Sequence, residues 1–294
     1  MTVRSYLYFP GCRINRYQPQ YGRATCAVMA ALGIELAEVE LTCCGYPVRH
    51  ENFLAALTAA ARNLALAAEK GMALMTPCQC CYGSLKHADH WLRQREDLRL
   101  RVNGLLQKEG LAWRPGIPVR HLLTVLLEDV GVDIIAAHVH HPLEGLKVAA
   151  HYGCHALRPG HITQFDNPLA PTIFERLVAA TGATAVAWPM RLECCGHPLW
   201  QKDDRLSLAL MREKLSDAKL AGGQVITTAC TYCQTQFDTV QHECPSKQNK
   251  PLPAVLYPQL LGLAMGMPPN ELGLSDNRIP WIPGAPGLPF GPGG

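Results

Sequence analysis

No block of basic residues and no basic stripe interleaved with aromatics occurs in this chain, whose net charge is +3 and whose pI is near 8.2. Nucleic-acid binding needs concentrated positive charge, so no nucleic acid is expected as a partner. Long apolar runs are also missing: the stretch richest in alanine and leucine, 53–75, is broken by Arg62, Asn63, Glu69 and Lys70. With those interruptions no membrane span is expected. The first residues run into a strand-like segment without the basic region, apolar core and small-residue cleavage site of a signal peptide. These absences predict a cytoplasmic protein, a setting in which disulfide scaffolds are rare and patterned cysteines serve as metal ligands or redox groups.

Two familiar metal patterns are absent as well. The ordinary ferredoxin run, Cys-x-x-Cys-x-x-Cys-x-x-x-Cys-Pro, does not occur, and each half has only one of the two Cys-x-x-Cys knuckles that a structural zinc site usually takes. What is present is one five-cysteine pattern written twice: a lone Cys, then Cys-Cys-Gly, then Cys-x-x-Cys. The first set is Cys12, Cys43, Cys44, Cys78 and Cys81; the second is Cys154, Cys194, Cys195, Cys230 and Cys233. The shift between sets is 142 for the lone Cys, 151 for the pair and 152 for the Cys-x-x-Cys. The flanks agree too, with Gly45-Tyr46-Pro47 matching Gly196-His197-Pro198. A near-constant shift of this size is the mark of an internal duplication, and the 294-residue length fits two units of roughly 150 residues.

Each half reads as strand, loop and helix in succession. Strands are expected at 5–9, 72–76, 147–150, 184–188 and 224–228, with 35–41 leading into Cys43, and helices at 21–32, 52–69, 172–181 and 204–221. Strands alternating with helices imply parallel sheets joined by right-handed crossovers. Sites in such sheets form at the carboxyl ends of strands, which would bring all three cysteine groups of each half together. A helical connector with a proline hinge near Trp113–Pro118 is expected between the halves, then a last apolar helix over 252–266. The Pro/Gly segment from Ile279 cannot form helix or inner strand; it reads as a disordered tail, or as a docking segment using Trp281 and Phe290.

Soft thiolates select zinc, copper(I) or iron–sulfur clusters. Adjacent cysteines such as Cys43 and Cys44 diverge too much to chelate one small ion easily, yet they can hold two irons of an extended cluster. Five thiols per half therefore point to iron–sulfur chemistry ahead of zinc. Gly45 and Gly196 would let the backbone approach the inorganic core or take positive φ.

These motifs resemble the CCG-domain family, and within it the B subunit of heterodisulfide reductase, together with related B subunits of sulfur oxidation. The likeness runs from Tyr6-Leu-Tyr-Phe-Pro-Gly-Cys12 through both Cys-Cys-Gly motifs to Leu256-Tyr-Pro-Gln-Leu-Leu-Gly-Leu-Ala-Met-Gly266. It implies an α/β fold of two repeated Rossmann-like CCG domains: a first CCG domain over 1–90, a helical connector over 91–145, a second CCG domain over 146–243, a C-terminal helix over 244–268 and a Pro/Gly-rich tail over 269–294. It also implies two iron–sulfur clusters of the noncubane 4Fe-4S type. Cys12, Cys43, Cys44, Cys78 and Cys81 would hold one, and Cys154, Cys194, Cys195, Cys230 and Cys233 the other. Between them a disulfide would be cleaved or formed, which makes the chain an oxidoreductase acting on sulfur groups. The implied partners are the ferredoxin-like C subunit and the flavin-containing A subunit of such a complex, and the implied substrate is a disulfide, a thiol or a lipoate-type sulfur carrier. Two other readings stay open: a CCG electron-transfer component of a lactate, glycolate or succinate-type dehydrogenase, and a zinc-stabilised assembly protein.

Three cysteines stand outside the pattern. Cys26 reads as a buried small hydrophobe, Cys80 as a spare thiol because Tyr232 holds the equivalent place, and Cys244 as neither ligand nor catalyst. His151, His155 and His197 lie beside proposed ligands where the first half has Phe9, Arg13 and Tyr46. They read as packing or hydrogen-bonding residues ahead of proton donors. Arg13, Arg49, Arg158 and Arg191 flank the cysteines and would serve cluster charge, an anionic substrate or plain solubility. The extra loop 155–171 reads as a lid or a neutral insertion.

Overall fold

The computed structural model of the chain describes residues 4–246 and 250–281. Its strands are short apolar runs: β1 (Arg4–Tyr8), β2 (Ile34–Ala37), β3 (Leu74–Thr76), β4 (Val119–His121), β5 (Lys147–His151), β6 (Thr184–Ala185), β7 (Val225–Thr228) and β8 (Ala254–Leu256). They form two wholly parallel sheets, ordered β2-β1-β3-β4 and β6-β5-β7-β8. Every residue of the central strands β3 and β7 is buried, as expected for parallel strands covered on both faces by helices. The α/β fold with parallel sheets read from the sequence is the one observed.

The two halves match beyond the cysteines. Helix Phe53–Glu69 and helix Asp204–Leu220 are related by the same shift of 151 as the Cys-Cys pairs. Each is started by a side chain that caps it: the Asn52 carboxamide oxygen accepts from the Ala55 N–H at 3.0 Å, and the Asp203 carboxylate from the Leu206 N–H at 3.0 Å. Caps of this kind satisfy an otherwise orphaned donor.

Two strands stand where the sequence pattern predicts helix. Within the stretch expected to be a helical connector, Val119–His121 forms β4 and pairs with β3. The run 252–266, expected to be one helix, begins instead with β8, and the helix starts only at Tyr257 and ends at Ala264. Pro258 explains that start, because proline is favoured in a helix's first turn. β4 and β8 hold equivalent places, each beside the third strand of its sheet and each leading into an apolar helical segment. Connector and C-terminal helix are thus matching parts of the repeat.

The start of the segment expected to be a disordered tail is packed. Ile279 and Trp281 are buried, and the Asp238 carboxylate accepts from the N–H groups of Arg278 and Ile279 at 2.9 Å each. Phe290 lies outside the described residues.

In each sheet the chain crosses from the second strand back over the first to reach the third. The crevice opened by that reversal, at the carboxyl ends of the first and third strands, is where ligands settle in open α/β sheets. Cys12 follows β1 and Cys78 follows β3; Cys154 and Cys230 repeat this after β5 and β7.

Because the capped helices are equivalent and well separated in sequence, Asn52→Ala and Asp203→Ala should each lower unfolding free energy by about 1 kcal/mol. Urea unfolding of the two variants and the double variant checks this; the double loss should be the sum of the single ones.

Candidate metal centre

The carboxyl ends of the strands bring each predicted set together. In the first, Cys12 Sγ lies 3.8 Å from Cys43 Sγ; Cys44 is in hydrogen-bonding contact with Cys43 and Cys81, and Cys81 with Cys78. In the second, Cys194 contacts Cys154 and Cys195, and Cys233 contacts Cys195 and Cys230. The order of contacts along the two sets is the same. The sets meet where Cys78 touches Cys230. Cys12 is exposed, Cys43, Cys154 and Cys194 are half-buried, and the other six are buried.

Two residues fix the backbone around the adjacent pairs. Gly45 has φ +81° and Gly196 φ +89°. A Cβ on Gly45 would sit 2.3 Å from the Ala56 carbonyl oxygen, and one on Gly196 2.7 Å from that of Ser207. Both glycines therefore answer to conformation and to crowding at once.

Crowded sulfurs cannot all ionise. Cys194 is pulled down to about 2 by hydrogen bonds from Cys154 and Cys195, and Cys44 falls well below the usual thiol range through Cys43 and Cys81. Cys78 falls too, although burial opposes it, because Cys230, Cys80, Cys81 and Thr231 donate to it. Their partners move the other way: Cys154 and Cys195 are raised by their bonds to Cys194, and Cys81 by its bond to Cys44. A shared-proton array of this kind becomes a set of thiolate ligands only when positive charge replaces the protons.

The space present agrees with that donor chemistry. One small cavity is walled by all five thiols of the second set, and another by Cys12, Cys44 and Cys81 of the first; both are closed by Tyr46, Cys80 and Tyr232. His151 Nε2 lies 3.2 Å from Cys233 Sγ, and the ligand atoms of His151, Cys195 and Cys233 all lie within 4.8 Å of one another. A single ion would use that trio and leave Cys154, Cys194 and Cys230 of the same set without a metal, whereas a multi-iron core would occupy all five.

The halves interlock across this centre. Gln79 Oε1 accepts from the Gly153 N–H at 2.7 Å, Gln18 Nε2 donates to the Thr231 carbonyl at 2.9 Å, and Cys78 Sγ sits 3.2 Å from Thr231 Oγ1. Equivalent positions meet twice, once in each direction: Arg13 lies over the Tyr232 ring at 4.6 Å, and its counterpart His155 brings Nδ1 to 3.1 Å from Cys80 Sγ, Cys80 being the counterpart of Tyr232.

Cys80 is therefore not remote from the centre. It is buried between the sets, 3.5 Å from Cys230 Sγ. Its only sequence signal was its place inside the Cys-x-x-Cys. Cys26 is half-buried against the core and Cys244 is half-buried on a separate cavity. His155 and His197 are held to about 4 by burial, so both are neutral near pH 7. Arg49 donates to the Tyr46 carbonyl and stacks on its ring at 3.7 Å, while Arg191 pairs with Glu175. The loop 155–171 packs toward the first half, where Tyr82 donates to the Thr163 carbonyl at 2.6 Å.

Comparisons with known proteins agree with this geometry. A cysteine-rich domain model, CCG, matches residues 6–86 and again 148–238. The chain is 32% identical over 278 residues, 92% of both chains, to the B subunit of the ferredoxin/F420H2-dependent CoB-CoM heterodisulfide reductase of Methanosarcina acetivorans. It is 34% identical over 281 residues, 94% of this chain and 97% of the other, to the 8-methylmenaquinol:fumarate reductase membrane anchor subunit of Wolinella succinogenes. Among solved structures, a hypothetical protein from Helicobacter pylori shares the fold with a TM-score of 0.73 at 16% identity; the match covers 95% of this chain and spans 52% of that one.

The crowding at the pair glycines yields a graded expectation. Gly45→Ala and Gly196→Ala should each cost on the order of 3 kcal/mol. Gly71→Ala, at φ +62° with nothing among the described residues within 4 Å of the added carbon, should cost about 1 kcal/mol. Thermal and urea unfolding of the three variants measure the difference.

Proposed function

We propose that this chain, which belongs to the CCG cysteine-rich domain family and carries two copies of the domain, is the disulfide-handling iron–sulfur subunit of a heterodisulfide reductase-like complex. Its relatives make it a CCG redox protein of the heterodisulfide reductase B type. The observation that carries the finer reading is the meeting of two equivalent five-thiol sets at Cys78 and Cys230. Cys12, Cys43, Cys44, Cys78 and Cys81 would hold one noncubane 4Fe-4S cluster, and Cys154, Cys194, Cys195, Cys230 and Cys233 the other.

When bound, the two clusters supply the two electrons that reduce a disulfide, RSSR′ + 2e⁻ + 2H⁺ → RSH + R′SH, or accept them in reverse. The residues of the chain do the rest. Tyr46, Tyr232 and Cys80 line the space between the sets on both sides. Cys80, His155 and Tyr46 also form the floor of a cavity of about 150 Å³ whose wall includes Phe53 and Trp91, with Arg49 beside it. That cavity suits the apolar arm of a thiol compound, and Arg49 suits an anionic group at its end. Neutral imidazole on His155 can orient a sulfur without adding charge.

In the proposed complex the electrons are exchanged with a ferredoxin-like C subunit and a flavin-containing A subunit, and the sulfur comes from a small disulfide or a lipoate-type carrier. Among the described residues no helix is long and apolar enough to cross a membrane; we place the protein in the cytoplasm. The likeness to the fumarate reductase protein favours one second reading, in which the clusters only relay electrons to a dehydrogenase partner.

Anaerobically purified protein should contain iron and acid-labile sulfide in near-equal amounts; stoichiometric zinc without sulfide rejects the cluster assignment. Cys194→Ser should remove the second cluster and spare the first, and equal loss of both contradicts the two-set assignment. Electron paramagnetic resonance of the oxidised protein should change on adding a thiol such as dihydrolipoamide. A panel of thiols that leaves both signals untouched favours the relay reading.

A further inference from the structure

Duplicated halves invite the assumption of two equal redox sites, yet buried positions around them differ. The first concerns the long helix behind each Cys-Cys pair. Asn63 and Lys214 are related by the pair's own shift of 151, and both are fully buried. Asn63 is neutral, accepting from the Thr42 N–H at 2.9 Å and donating to the Thr42, Cys43 and Ala59 carbonyls. Lys214 donates to the Met190 carbonyl, four residues before Cys194, and its ammonium lies 4.9 Å over the Trp188 ring. One repeat thus braces the approach to its pair with an amide, the other with a cation. The second difference follows the shift of 142. Phe9 and His151 are equivalent and buried, but only His151 carries a nitrogen, 3.2 Å from Cys233 Sγ.

We propose that Lys214, assisted by His151, positions the second site at a higher reduction potential than the same cysteines would otherwise give, so that electrons settle there rather than at the first site. The inference rests on the cluster reading above. Burial pulls Lys214 down to about 8, which leaves it charged at pH 7, and a positive charge favours the more negative, reduced state; so does His151 Nε2–H once Cys233, held as a thiolate by a cluster, can only accept. Net charge and hydrogen bonding to the sulfurs are recognised determinants of cluster potential. Burial alone would act the other way, since Cys12 of the first set is exposed whereas no thiol of the second is. Lys214 offsets that burial from inside the protein. Arg13 and Arg49 are partly exposed and screened by water, as is the acidic Glu193 near Lys214, so none matches a fully buried ammonium. Lys214 touches no substrate space: it lines neither cavity of the centre.

The test is an anaerobic potentiometric titration of the full-length, cluster-loaded chain followed by electron paramagnetic resonance, with iron and sulfide counted first. Cys12→Ser and Cys194→Ser assign the signals to the two sites. Lys214→Gln keeps a donor for the Met190 carbonyl and removes only the charge. The expected result is a fall in the second midpoint equivalent to tenfold or more in its one-electron equilibrium, about 59 mV, with the first midpoint unmoved. An unmoved second midpoint at full iron content overturns the proposal, as does an equal fall in both. Should Lys214→Gln load only the first cluster, His151→Phe decides by the same titration, a lower second midpoint supporting the proposal and an unmoved one overturning it. Absence of iron and sulfide from the unmutated chain rejects the cluster reading itself and is seen before any titration.

Discussion

Everything in this structure answers to the difficulty of crowding ten thiols into a partly water-free space. Neighbouring sulfurs cannot all be charged, and the opposed shifts of Cys44 against Cys81 and of Cys194 against Cys154 record that conflict. The chain holds them close only because they hang from the rigid carboxyl ends of two parallel sheets. Gly45 and Gly196, forced to positive φ and pressed on neighbouring backbone, fold the adjacent pairs inward. A positive inorganic core would relieve the repulsion that the scaffold imposes, which would couple scaffold and metal energetically.

That coupling extends across the two halves. Neither set is closed by its own repeat, because Tyr46, Cys80 and Tyr232 wall both cavities. Gln79 and Gln18 each carry a buried hydrogen bond to the opposite half, and losing either would orphan a backbone group at a cost of roughly 1–3 kcal/mol. The reciprocal meeting of Arg13 with Tyr232 and His155 with Cys80 is what a two-fold arrangement of repeats produces. The duplicated pattern thus describes one centre with two faces.

Much of this was legible in the sequence because cysteine spacing and the strand-helix alternation are local signals. The order of the five thiols, the α/β class and the place of the capped helices could be read from residue types and shifts alone. β4 and β8 could not: three residues such as Val119-Arg120-His121 carry no periodicity, and Ala254-Val255-Leu256 merges with the apolar helix after it. What makes them strands is pairing to β3 and β7, a tertiary fact. The position of Cys80 was hidden for a related reason. Its neighbours Cys230 and His155 come from the other half, and its own sequence counterpart, Tyr232, suggested that a thiol there was dispensable.

Duplication also sets where the two faces can differ. As proposed cluster ligands, the ten cysteines would be held to one geometry, and any change among them would cost the site. An exposed charge is nearly silent, since a pair of unit charges at 4 Å is worth about 1 kcal/mol in water and about 4 kcal/mol at the effective dielectric of a protein. Distinction between the two sets would therefore fall to buried positions that support the cysteines without being among them. Asn63 against Lys214 and Phe9 against His151 are such positions. Cys80 against Tyr232 is a third, and it alters the shared wall of both cavities rather than the charge behind one of them. On the proposed cluster reading the two kinds of divergence would act on different quantities: the first on where electrons rest, the second on what the space between the sets admits.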